Sequence, residues 1–480
     1  MNTQIRRVGV VLMALFVALF LQLNYLQVIR ADDYANDPRN TRTAVRDFSK
    51  ARGQIITADG AVVARSTPTS GAFERQRQYP EKELFAHITG FFSFTFGASG
   101  IERRYNDQLA GRNLGIASLK DVLVDRTITG DVYLTVPKGL QQLARDALGN
   151  KKGSVVALDA STGAVLALWS FPSYDPSALS AHDQKSVQSA WDLLNANPDR
   201  PMVARTYQRT FPPGSTFKVV TSAAALERRP DLVTKVYPSL KTLDLPTTNR
   251  DLPNFGGGTC GGALPDLLRV SCNTGFGQMG IDLGAEALVG EARDFGFDDR
   301  PPLDLTAVRP AAIPDVEAFE RDIPALAQSA IGQRDVRATP LQMALVAAGV
   351  ANGGVIMQPH VMGEVHDSDG NVVRRAEPGP WKTATSPEVA TQLRDLMVNV
   401  VERGTGTRAK VPGAVVGGKT GTAQTEGDNA HAWFIAFGEA NDRKVAVAVI
   451  VESQPGVSEA TGGRVAAPIA QQVLKAALGL

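Results

Sequence analysis

The chain is poor in the residues that build metal centres and disulfide scaffolds. Its 480 residues include two cysteines, Cys260 and Cys272, which form no C-x-x-C or other zinc-type spacing. Five histidines (His87, His182, His360, His366 and His431) include no H-x-x-x-H ligand pair. A metal enzyme is therefore disfavoured, and no metal or other cofactor is expected. Charge of one sign is lacking too: 50 Lys and Arg face 49 Asp and Glu, a formal net charge of +1. That balance gives no field-driven affinity for nucleic acid, which is not expected as a partner. There is no internal repeat or low-complexity tract. What remains is a globular composition, 43% hydrophobic, long enough at about 150 residues per domain for two or three domains.

Long apolar runs are equally scarce, with one exception. Val8 to Ile29 carries no charge over 22 residues, and about 20 suffice to span a bilayer as a helix. Arg6 and Arg7 precede it, while Asp32 and Asp33 follow Arg30. The positive-inside rule then places residues 1–7 in the cytoplasm and the remaining body outside. A cleaved signal peptide would have a shorter apolar core and a small-residue cleavage site, and no convincing Ala-x-Ala follows here. The expectation is a single-pass membrane protein with an extracytoplasmic body, anchored by residues 8–29.

Residues 30–150 are polar and broken into short pieces. Arg52 to Ile56, the turn-like Asp59-Gly60 and Val62-Val63 read as a β-hairpin, because Asp-Gly tolerates positive φ. Gly100 to Leu109 suggests a short helix ending at Gly111. Asp131 to Thr135 reads as a strand, followed by an amphipathic helix over 138–148. Nothing here has catalytic spacing, and the economical reading is a small α+β pedestal or dimerisation-type module, bounded near 149–152. In residues 151–480, Gly153 to Asp159 and Ala164 to Trp169 form a hairpin of buried strands. Ala432 to Phe437 and Val445 to Val451 add two more, with helices at Leu341 to Ala351 and Ile469 to Leu478. The fold class is α+β: a central antiparallel sheet flanked by helices, its strands drawn from both ends of the domain.

Three short motifs carry chemistry. A serine becomes a nucleophile only if something takes its proton, and Ser215-Thr216-Phe217-Lys218 offers an amine three residues on, on the same face if the stretch opens a helix. Phe211-Pro212-Pro213-Gly214 is a rigid lead-in, and Val219 to Leu226 continues as a buried apolar helix. Ser215 then sits where helix N–H groups favour developing negative charge. An ordinary serine N-cap with a surface lysine is the plainer alternative, although no other lysine in the chain has a serine three before it. Ser271-Cys272-Asn273, the only Ser-x-Asn in the chain, pairs a hydroxyl that can relay protons with an amide that can hold a substrate. Lys419-Thr420-Gly421-Thr422 supplies a fixed cation, two hydroxyls and a glycine permitting close approach, as recognition of a carboxylate beside a reacting carbonyl requires.

Ser-x-x-Lys, Ser-x-Asn and Lys-Thr-Gly in this order form the motif set of penicillin-binding proteins and class A β-lactamases. The chain resembles the class B, monofunctional penicillin-binding proteins, and within them the PbpA-type subgroup of actinobacteria. Arg52-Gly53-Gln54-Ile55, Gly100-Ile101-Glu102, Leu109-Ala110-Gly111, Ile331-Gly332-Gln333 and Thr339-Pro340-Leu341-Gln342 are similar to further family landmarks. The resemblance implies a serine penicillin-recognising transpeptidase domain over 151–480. It implies that Ser215 is the acyl-enzyme nucleophile and Lys218 its general base. Ser271 and Asn273 would relay the proton to the leaving D-alanine and orient the peptide, while Lys419, Thr420, Gly421 and Thr422 would hold the terminal carboxylate. The backbone N–H groups of Ser215 and Thr422 would form the oxyanion hole. In an oxidising exterior, Cys260 and Cys272 are expected to form a disulfide bracing the Ser-x-Asn loop.

The implied activity is a D,D-transpeptidase that cross-links peptidoglycan stem peptides in cell-wall synthesis and is inhibited by β-lactams. The rivals are a D,D-carboxypeptidase or β-lactamase-type hydrolase, and a non-catalytic penicillin-binding sensor or scaffold. No Glu-x-x-Leu-Asn deacylation element lies between Asn273 and Lys419, which argues against fast hydrolysis. Sensors usually carry several membrane helices, and one is read here. No glycan polymerase domain fits in 31–150, so a SEDS-type (RodA/FtsW-like) polymerase is the expected partner.

Overall fold

A computed structural model of the chain describes residues 2–26, 48–70, 73–111, 129–424, 430–453 and 461–480. Helix α1 (Asn2–Asn24) is exposed along its apolar length, and Thr3–Asn24 is long and apolar enough to cross a membrane. The far end of the expected anchor, 27–29, and the flanking Arg30, Asp32 and Asp33 lie outside the described residues.

The Asp59-Gly60 turn forms as its residues dictate: Gly60 takes φ +83° and Ile56 pairs with Val62. Strands Ile55–Ile56 and Val62–Pro68 belong to a six-stranded sheet with Arg75–Gln78 at one edge and Asp131–Leu134 on the inner side. Its last two strands, Met362–His366 and Val372–Arg375, come from far along the chain, well beyond residue 150. Instead of the single helix expected over 100–109 there are two, Gly100–Arg104 and Asn106–Leu109, broken at Tyr105, whose φ and ψ of −112° and 29° leave the helical region.

Beside the break, in the first of these helices, lies the carboxylate of a buried ionic cluster. Glu102 accepts from Arg52 Nε and Arg77 Nε at 2.6 Å each, and the Tyr79 hydroxyl donates to the same carboxylate at 3.2 Å. Burial alone would raise the Glu102 pKa, but the two guanidinium groups outweigh it and hold the carboxyl below its ordinary 4.5. Two segments 50 residues apart, one beginning Arg52-Gly53 and the other Gly100-Ile101-Glu102, are thereby clamped together.

Helix α2 (Lys138–Leu148) carries the link to the body formed by the rest of the chain. It buries Leu140, Ala144 and Leu148, and also Gln141, whose amide nitrogen donates to Leu84 O at 3.0 Å and Leu168 O at 3.1 Å while its oxygen accepts from Leu168 N at 2.8 Å. In the body, β1 (Gly153–Asp159), β2 (Val165–Phe171), β3 (Val415–Gln424), β4 (Ala430–Ala440) and β5 (Arg443–Val451) form an antiparallel sheet in the order β3-β4-β5-β1-β2. β4 and β5 join through Asn441 and Asp442, both at positive φ, the conformation of a two-residue type I′ turn. Successive residues of Val445–Val451 point to opposite faces, and all are buried, so the sheet is covered on both sides. Each such valine or isoleucine contributes about 1.5 to 3 kcal/mol relative to its exposed state. Of the body helices, α3 (Lys218–Arg228), α4 (Leu264–Val270) and α5 (Asn273–Leu283) pack among neighbouring helices, whereas α6 (Pro340–Ala351) and α7 (Ala466–Ala477) cover the central strands and Pro387–Arg403 packs on β3. This leaves β3, the strand bearing Lys419, as an edge.

Replacing Glu102 by Gln strands two buried guanidinium groups without a counter-charge, a change expected to cost about 3 to 5 kcal/mol. Because its folded pKa is depressed, Glu102 contributes its full stability above the ordinary carboxyl value of 4.5 and loses it as pH falls through the lower folded value. Urea unfolding of wild type and Glu102→Gln at pH 7 and pH 3 checks both: the gap between them should be large at neutral pH and shrink in acid.

Candidate active site

Ser215 lies in a 3-10 turn, Gly214–Phe217, that runs into α3, rather than in the α-helix itself. In a 3-10 turn, residues three apart eclipse, which sets Lys218 over Ser215. Three contacts pin the turn. Gly214, at φ +54°, donates its N–H to Gly332 O at 2.9 Å. The Thr216 hydroxyl donates to Pro213 O at 2.7 Å, and the Trp433 indole, from β4, donates to Pro212 O at 3.0 Å. Gly421 of β3 packs directly on this turn: a Cβ there would come within 2.9 Å of Thr216 and Trp433 side chains and 3.0 Å of Pro213 O. The close approach for which the glycine was read is therefore made by the protein's own turn.

Lys218 and Lys419 are both fully buried. Lys218 Nζ donates to Asn273 Oδ1 at 2.7 Å and Ser271 O at 2.8 Å, with Ser271 Oγ at 3.4 Å. Lys419 Nζ donates to Ser271 Oγ at 2.8 Å and to Thr420 O at 2.9 Å. The amine of Lys218 is thus held by the Ser-x-Asn element, and the Ser215 hydroxyl, half-buried at the cleft wall, has no hydrogen-bond partner among the described residues. No described carboxylate pairs with either lysine. Burial, and then the neighbouring Lys419, push the Lys218 amine well below its ordinary 10.5, and burial brings Lys419 down to about 7.

Ser271 reaches both amines because it caps α4 in the left-handed conformation, φ 61° and ψ 43°. A non-glycine residue held there costs about 1 to 3 kcal/mol. Asn273 opens α5 two residues later. Between them Cys272 is bonded to Cys260, with Cα atoms 5.8 Å apart, tying the element to the strand Cys260–Gly262. On β3, Thr420 Oγ1 shares a 2.7 Å hydrogen bond with Thr405 Oγ1, and Thr422 stands half-buried beside Ser215 in the same cleft.

Ser215, Ser271, Asn273, Thr420 and Thr422 therefore line one cleft of about 1080 Å³, and the buried amines of Lys218 and Lys419 stand behind it on Ser271 and Asn273. Sequence reasoning missed Asn254 and Thr405, for which a lone Asn and the Gly404-Thr405-Gly406 stretch are the only cues. It also missed the charge of the wall, where Arg250, Arg269, Arg334, Arg408 and Arg464 outnumber Asp251 and Asp266.

A half-buried serine beside a buried lysine, met by a Ser-x-Asn corner and a Lys-Thr-Gly edge strand, defines a class, and comparison with known proteins agrees. The penicillin binding protein transpeptidase domain family matches residues 153–475, and the penicillin binding protein A dimerisation domain family matches 52–131. The chain belongs to the penicillin-binding protein transpeptidases. Over 100% of its length it is 40% identical to the peptidoglycan D,D-transpeptidase PbpA of Mycolicibacterium smegmatis, covering 99% of that protein. The same identity and coverage hold for PbpA of Mycobacterium tuberculosis. Among solved structures, penicillin-binding protein A from M. tuberculosis as a ceftriaxone acyl-enzyme complex is similar with a TM-score of 0.84 and 38% identity, covering 90% of this chain and 100% of that one. The penicillin G acyl-enzyme complex of that protein gives 0.82 with the same identity and coverage.

The disulfide closes a loop of sequence separation 12 at the Ser-x-Asn corner. Its removal, in Cys260→Ser with Cys272→Ser, is expected to cost about 3 kcal/mol on the chain-entropy scale. Amide exchange should quicken most at Asn273 and Thr274. Unchanged exchange there would mean that the corner is held without the bridge.

Proposed function

We propose that the chain is a membrane-anchored D,D-transpeptidase that cross-links peptidoglycan stem peptides through an acyl-enzyme on Ser215. One observation carries this reading: a buried Lys218, unpaired with any described carboxylate, one 3-10 turn from an unbonded serine hydroxyl. Kept neutral, the amine spends its two hydrogens on Ser271 O and Asn273 Oδ1, leaving its lone pair for the Ser215 proton. Ser215 Oγ attacks the carbonyl of the penultimate D-alanine, and the oxyanion meets the backbone N–H groups of Ser215 and Thr422. The proton passes from Lys218 through Ser271 to the departing D-alanine amine. An amine of a second stem peptide then attacks the ester and releases Ser215.

Lys419, Thr420 and Thr422 hold the terminal carboxylate, and the arginine-rich wall suits a substrate with further carboxylates. The second hydrogen of Asn273 Nδ2 remains for a substrate carbonyl, the first being held by Pro253 O at 3.0 Å. β-Lactams occupy the same site by presenting a strained amide to Ser215. In this reading residues 1–7 are cytoplasmic and 8–29 anchor the chain. Residues 30–150 form the pedestal, 151–480 the extracytoplasmic transpeptidase, and a SEDS-type polymerase supplies the glycan. PbpA-named relatives at full length and acyl-enzyme structures of a similar protein support it.

Intact-mass spectrometry after incubation with benzylpenicillin tests the acylation half. The expected outcome is one lasting adduct on Ser215, absent in Ser215→Ala. Rapid loss of the adduct with release of hydrolysed drug would favour a β-lactamase-type hydrolase, and an adduct on Ser215→Ala would remove the assignment.

A further inference from the structure

We propose that Asn254 is a positioning residue for acylation, fixing the start of α5 so that the Asn273 amide presents its oxygen to Lys218. The proposal rests on the role given above to Lys218.

The first N–H groups of any helix lack intrahelical acceptors and are usually capped by the residue just before. In α5 that residue is Cys272, which makes no side-chain cap and whose sulfur is in the disulfide. Asn254, from far upstream, does the capping instead. Its Oδ1 accepts from Asn273 N and Thr274 N, both at 3.0 Å. Its Nδ2 donates to Leu240 O at 2.8 Å and Gly258 O at 3.1 Å, so both ends of a buried amide are committed and it cannot flip without losing four bonds.

The neighbouring residue sets the next amide. Pro253 O accepts from Asn273 Nδ2 at 3.0 Å, which leaves Asn273 Oδ1 facing Lys218 Nζ at 2.7 Å. Leu252–Pro253 is itself a strand paired with Thr242–Leu243, and Asn254 N donates to Lys241 O at 3.2 Å. The orientation of the amide that Lys218 depends on is thus relayed from a short hairpin outside the three motifs. With the Asn273 amide reversed, two sets of N–H hydrogens would face each other.

Loss of Asn273 Oδ1 as an acceptor disfavours the ammonium form of Lys218 and lowers its pKa. The charged group facing Lys218 is Lys419 from β3; the other side chains it touches, Ser271, Asn273 and Phe276, are uncharged. The acid limb of acylation should therefore move to lower pH in Asn254→Ala, while the plateau rate falls about tenfold to a hundredfold, as for a displaced catalytic group. Asn254→Asp keeps an acceptor for both N–H groups, at a helix start that favours an anion. It should recover most of the rate, with the limb moved to higher pH by the added negative charge.

The test is the pH dependence of benzylpenicillin acylation in the full chain, with adduct stoichiometry counted for each variant and Ser215→Ala as control. The expected result is one adduct per chain in both Asn254 variants, with slowed acylation and a lowered limb in Ala, and a recovered rate and raised limb in Asp. A wild-type rate and limb in Asn254→Ala overturns the proposal. So does a loss seen only as fewer competent chains at unchanged rate, the mark of a purely structural role. Should the Ala variant not fold, an Asp variant with an unmoved limb overturns it alone. If Ser215→Ala still acylates, the reading of the site falls and this proposal with it; if that control is inert, only the role of Asn254 is at stake.

Discussion

The site depends on keeping two lysine amines, Lys218 and Lys419, buried around one serine hydroxyl with no described acid to pair them. In water each would be an ammonium ion and useless as a base. Burial penalises the charged form, and the like charge of the neighbour adds to the penalty on Lys218. Such an arrangement is destabilising by itself, so the surrounding structure must hold it. The carbonyls of Ser271 and Thr420 and the oxygen of Asn273 satisfy the amine hydrogens, and Ser271 accepts a left-handed backbone to place its hydroxyl between them.

The elements that meet there come from distant parts of the chain, and each is fixed by ordinary packing. β3 is held on its inner side by β4 and has no strand partner beyond it among the described residues, and the Ser215 turn packs against its Gly421. Helix α3 carries Lys218 from a turn pinned by Gly332 and Trp433. The Ser-x-Asn corner is tied by the Cys260–Cys272 bridge and by Asn254. The pedestal joins the body through the fully used amide of Gln141 and a shared sheet, and its Arg52–Glu102–Arg77 cluster solves the opposite problem, a buried anion over-supplied with cations.

Much of this was legible in the sequence because its signals are local. The two body hairpins announce themselves as apolar runs, and Asp59-Gly60 as a turn. The three motifs stand out because the chemistry needs particular side chains at short spacing. What escaped was non-local. Nothing in Met362–His366 says that it will pair with Asp131–Leu134, since register across such a separation is decided by the assembled sheet. The Tyr105 break was hidden because propensity does not report distant partners, here Asp304 for the Tyr105 hydroxyl and Arg52 for Asn106. Asn254 reads as a loop residue, and only the folded hairpin puts it over the start of α5. Spacing pointed Lys218 at Ser215, whereas the folded protein holds the amine on Ser271 and Asn273, the better acceptors at hand.

In the proposed mechanism burial makes Lys218 a base at neutral pH while Lys419 stays partly charged beside the carboxylate site. The most direct measurement is the second-order rate of benzylpenicillin acylation of the wild-type chain across pH. A rise through an acid limb far below 10.5, where Lys218 gives up its proton, and a fall through an alkaline limb near 7, where Lys419 loses its charge, is the predicted profile. A rate that climbs steadily towards pH 10 would show that Lys218 titrates as an ordinary solvated amine, and would contradict the account.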